Sequence, residues 1–84
     1  DFVDPSKAIV EDIEEAFGAR RAEDIGAGAH KLKSSSRAVG ANDLADLCAA
    51  LEKAGKASDW DGIDALAPRL GGLMQEVTDY IEAL

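Results

Sequence analysis

The run Ala22–Lys56, AEDIGAGAHKLKSSSRAVGANDLADLCAALEKAGK, decides the fold. In its first half Ile25, Ala29, Leu32, Ser36 and Val39 fall on one stripe at helical spacing. The pattern predicts a helix from about Ala22 to Val39, with Gly40 just past its end as a left-handed cap. In the second half Asn42 is a candidate N-cap, and Leu44, Leu47, Cys48, Leu51 and Ala54 form another stripe running to about Lys56. Gly55 is expected to loosen the end of that helix, and Glu52 with Lys56 makes an i,i+4 ion pair.

Two further segments flank this run. Upstream, Asp4 can cap a helix whose first position suits Pro5, since a missing N–H costs nothing there. Ile9, Ile13, Ala16 and Phe17 then share a face, Glu11, Asp12, Glu14 and Glu15 crowd the other, and Gly18 closes the helix. Downstream, Ser58-Asp59-Trp60-Asp61 has the form of a capping box with Asp as its acidic member. The stripe after it is long: Trp60, Ile63, Leu66 with Ala67, Leu70, Leu73 with Met74, Val77, Ile81 and Leu84. Pro68 lies inside it and removes a helix hydrogen bond, so a kink or break is expected there. Four amphipathic helices on short loops predict an all-α, antiparallel four-helix bundle.

Composition agrees. Ala and Leu supply 24 of the 39 apolar residues, and both are strong helix formers. A chain of 84 residues has room for one domain. Its start at Asp1 suggests a piece of something longer. A net charge of −8 argues against general binding to nucleic acid or to anionic membrane. The longest apolar run, Leu47–Leu51, is far short of the ~20 residues that span a bilayer. One Cys cannot form an internal disulfide, which fits a cytoplasmic location. One His and one Cys exclude a zinc site of the usual Cys/His type. There is no G-x-x-x-x-G-K-[ST] phosphate loop and no G-x-S-x-G elbow.

One place offers chemistry. His30 is the only side chain whose ordinary pKa lies near neutrality. At about 100° per residue it stands some 200° from Leu32, so it is expected to face solvent. Glu23, Gly26, Ala27, Lys33, Ser34 and Arg37 share its face. Gly26, Ala27 and Ser34 are small and leave room for an approaching group. A glycine inside a helix costs about 1 kcal/mol, so Gly26 and Gly28 call for a reason such as close approach by a helix or a partner. From Ile25 to Asn42 there is no acidic residue, while Lys31, Lys33 and Arg37 fall there. Such a patch around an imidazole whose lone pair is largely free at pH 7 suits phosphate handling, with Lys33 neutralising phosphoryl oxygens.

The sequence Ala29-His30-x-Leu32-Lys33-x-Ser35, followed by Val39-Gly40-Ala41, Leu44, Cys48 and Leu51-Glu52, resembles the signature of histidine-containing phosphotransfer (HPt) domains. The resemblance implies a cytoplasmic phosphorelay intermediate. It would accept a phosphoryl group on His30, through the outer ring nitrogen, from a response-regulator receiver domain and pass it to another. Lys33 would be the phosphate neighbour, and Gly26, Ala27, Lys31, Ser34 and Arg37 would meet the partner. No cofactor of its own is implied; the divalent metal, Mg, would belong to the receiver. The chain would be a phosphocarrier without autokinase activity, and a sensor histidine kinase in the same polypeptide would be a further partner. Ser34 departs from the pattern, which usually has Gly there, and the first helix is short for the family.

Two other readings compete. An acidic helical module that binds a partner without carrying phosphate does not explain a solvent-facing His30 beside Lys33. An acyl carrier domain needs a serine in an Asp-Ser-Leu run, and none of the five serines has that setting.

Overall fold

A computed structural model describes residues 1–84. The chain forms α1 (Val3–Gly18), α2 (Ala22–Ala38), α3 (Asn42–Lys56), α4 (Trp60–Leu66) and α5 (Leu70–Glu82). A 3₁₀ turn, Ala67–Arg69, separates the last two. Pro68 sits in that turn and breaks the fourth rod into α4 and α5, as its missing N–H requires. Three-residue connections join helices that pack on their neighbours, so consecutive rods run antiparallel. The molecule measures 38 × 19 × 18 Å.

The core follows the stripes. Ile13, Ile25, Leu32, Leu44, Leu51, Ile63 and Leu70 are fully buried, with Cys48 among them. Ser36 lies in the α2 stripe because its hydroxyl donates to the Leu32 carbonyl at 2.7 Å, and Thr78 does the same to Met74 at 2.9 Å. Two ends of the stripes fall outside the core. Val39 is 48% exposed and Leu84 89%, because each follows the last turn of its helix.

The helix ends depart most from expectation. Asp1, not Asp4, serves the start of α1: its carboxylate accepts from the amides of Val3 and Asp4. The helix thus begins two residues before Pro5, whose N–H would still be unpaired in the first turn. Asn42 does not cap α3; it is the first helical residue, behind Ala41. Ser58 does not cap α4 either; Asp59 does, accepting from the Gly62 amide at 3.1 Å.

Three helices end in the same way, with a left-handed residue and two tightening hydrogen bonds. After α2 that residue is Gly40 (φ +77°), with the Ala41 amide donating to Ser36 and that of Gly40 to Arg37. After α1 it is Arg20 (φ +58°) and not Gly18, and after α3 it is Ser58 (φ +50°). Arg20 is held there by its side chain, which stacks over Trp60 and Phe17 and donates to Asp64 at 2.6 Å.

Candidate functional site

The site is built on α2 and α3, beside a close approach of their backbones. Gly55 of α3 lies so near α2 that a Cβ there would stand 2.8 Å from the Gly26 amide nitrogen and 2.9 Å from the Ala22 carbonyl oxygen. Gly26 is therefore buried against α3 and does not line an open face. This corrects the expectation that it would meet a partner: what lies against Gly26 is the backbone of α3. Gly55, expected to loosen its helix, is instead packed directly against the α2 backbone. Gly28 faces the other neighbour, where a Cβ would meet Ile13 of α1 at 2.6 Å.

One turn beyond Gly26, His30 projects outward with its side chain 63% exposed. Its Nδ1 lies 2.9 Å from Oε2 of Glu52, one turn before Gly55 on α3. Lys33 Nζ donates to Oε1 of the same carboxylate at 2.6 Å, and Lys56 Nζ stands 3.0 Å from Oε2. The Glu52 side chain is only 9% exposed. Its carboxyl is held down at about 2, first by the hydrogen bond from Lys33, next by that from Lys56 and then by the one from His30, against the opposing effect of desolvation.

An ionised carboxylate can only accept, so the proton of the neutral imidazole is on Nδ1 and donates to Glu52. Nε2 then carries the lone pair, and it has no partner within the chain. The arrangement presents an oriented nucleophile whose carboxylate partner also binds two ammonium groups.

Glu52 is the residue that reading along the chain missed as part of the site. The stretch from Ile25 to Asn42 has no acidic residue, yet the fold inserts one from α3 beside its His. A signal was present: Glu52 lies four residues after Cys48 and next to Leu51, on the edge of a buried stripe where a lone carboxylate needs cationic partners. Of the other expected residues, Ala27, Lys31, Ser34 and Arg37 are exposed along α2. Arg37 pairs with Asp46 at 3.3 Å, both open to solvent.

A shallow hollow beside Glu52 is lined by Lys33, Ala49, Lys53, Lys56 and Ala57. A larger apolar groove, of about 590 Å³, runs between Phe2, Val39, Leu44, Leu73, Val77 and Tyr80, and none of the site residues lines it. No three His, Cys, Asp or Glu side chains converge in a way that could hold a metal ion. No helix is long and apolar enough to cross a membrane.

No curated protein and no solved structure matches the chain. The family model described as Hpt domain matches residues 1–84, the whole chain. Such domains act in two-component phosphorelays, exchanging phosphoryl groups with receiver domains and histidine kinases as carriers rather than catalysts. A solvent-facing imidazole with its inner nitrogen tied down is the kind of group that exchange needs, and the chain belongs to the Hpt domain family.

Proposed function

We propose that His30 is the phosphoryl acceptor and that the chain shuttles a phosphoryl group between two receiver-domain aspartates. The Nε2 lone pair attacks phosphorus, the P–N bond forms, and the bond to the aspartyl oxygen breaks to leave a carboxylate. The Nδ1 proton stays where it is, donating to Glu52, and balances part of the charge that arrives. Lys33 and Lys56 neutralise phosphoryl oxygens as point charges. The divalent ion that steadies the transferring group would come with the receiver.

The observation that carries this reading is the His30–Glu52 hydrogen bond on an exposed ring. A packed or incidental histidine has no need of a buried carboxylate fixing its tautomer. The test is incubation with a phosphorylated receiver. The parent should gain an acid-labile, base-stable label, and His30→Gln should gain none. Label of that type on His30→Gln would reject the assignment, since there is no other histidine. No transfer to the parent from any of a panel of phosphorylated receivers would favour the non-catalytic interaction module instead.

A further inference from the structure

The Gly26–Gly55 crossing lies one turn from the His30–Glu52 contact on both helices. The two glycines are not equivalent. A Cβ on Gly26 would find the Glu52 carbonyl and the Lys56 amide at 3.5 Å, which is ordinary contact. A Cβ on Gly55 would find only backbone within 3 Å, at 2.8–2.9 Å, and backbone cannot rotate away. Relief requires the helices to part locally by about 0.6 Å, from 2.8 Å to an ordinary 3.4 Å. Added to the 2.9 Å between His30 Nδ1 and Glu52, the same displacement gives about 3.5 Å, the outer limit of a hydrogen bond. Glu52 is tied to both helices: Lys33 of α2 holds Oε1 at 2.6 Å, while Lys56 of α3 holds Oε2, the oxygen that His30 uses, at 3.0 Å.

We infer that Gly55 is a positioning residue for His30: by bringing the α3 backbone onto Gly26 it sets the reach of Glu52 and so fixes which ring nitrogen carries the proton. The inference rests on the reading of His30 as the acceptor only for its consequence on transfer. The tautomer itself is independent of that reading.

The discriminating measurement is the ¹⁵N spectrum of the neutral His30 ring, taken on folded parent, Gly55→Ala and Gly28→Ala. Gly28→Ala is the control for packing damage, since it crowds Ile13 on the α1 side of the same helix. Parent and Gly28→Ala should show the proton mainly on Nδ1. Gly55→Ala should shift toward the Nε2–H form that an unconstrained imidazole prefers. Its transfer rate from a phosphorylated receiver should fall tenfold or more below that of Gly28→Ala. A folded Gly55→Ala with the parent's tautomer overturns the inference, whatever its stability. Should Gly55→Ala not fold, Glu52→Asp withdraws the carboxylate by one methylene and leaves the crossing untouched. A parental tautomer in Glu52→Asp would mean that the contact tolerates such a displacement, and it would equally overturn the inference. Failure of the parent to accept phosphate would reject the proposed function and leave the tautomer result standing.

Discussion

At the scale of single residues, Glu52 organises the site and makes its stability depend on pH. Its hydrogen-bond partners hold the folded carboxyl down at about 2, against an ordinary value of 4.5. Its contribution is therefore complete above about pH 4.5 and disappears as the pH falls toward 2. In melting curves Glu52→Gln should be less stable than the parent at neutral pH, flatter through that window, and level with it near the acid end. Lys33 spends its charge on Glu52 in the resting protein but lies one turn from His30. Lys33→Ala should slow single-turnover transfer by roughly 10- to 150-fold, the value of a charge-assisted hydrogen bond of about 1.5–3 kcal/mol made in the transition state. Arg37→Ala should matter less, because Arg37 pairs across solvent with Asp46. His30 and Lys33 were legible in the sequence because helical phase alone puts them on one face. Glu52 was legible only as a carboxylate on the edge of a buried stripe; its place beside them comes from the crossing of a second helix, 22 residues away in the chain.

At the scale of elements, apolar periodicity located all four rods and Pro68 located the break. The ends were less legible, because a left-handed residue need not be glycine when the surroundings hold it. Gly40 was found; Arg20 and Ser58 were hidden by the neighbouring Gly18 and by a plausible capping pattern. Non-glycine residues at such angles cost roughly 1 kcal/mol. Ser58 has no hydrogen bond or ion pair through its side chain to offset this, so Ser58→Gly should stabilise the protein by about 0.5–1 kcal/mol, or several degrees in Tm. Arg20→Gly removes the same strain and also the stacking on Trp60 and the bond to Asp64, so it should gain nothing. Thermal melts of the two variants side by side check the pair of expectations.

At the scale of the whole molecule, one bundle surrounds Cys48, which has no exposed surface. Burial pushes its thiol up to about 11, only partly countered by Lys33. A thiol reagent at neutral pH should leave the native protein unmodified and react at the rate of global unfolding, whereas in denaturant it should react at once. The distribution of charge has a different consequence. α2 and α3 together carry five basic and five acidic residues, so the helix pair that bears the site is neutral. The whole surplus of −8 lies on the rest of the chain, chiefly on α1 and beyond Asp59. The protein is thus a dipole whose less negative pole surrounds the imidazole. A partner that itself presents carboxylates is repelled from the back of the bundle and turned toward the front before any contact forms. Orientation is selected by exclusion, and dissolved salt, by screening the back, should weaken that selection without touching a single residue of the site.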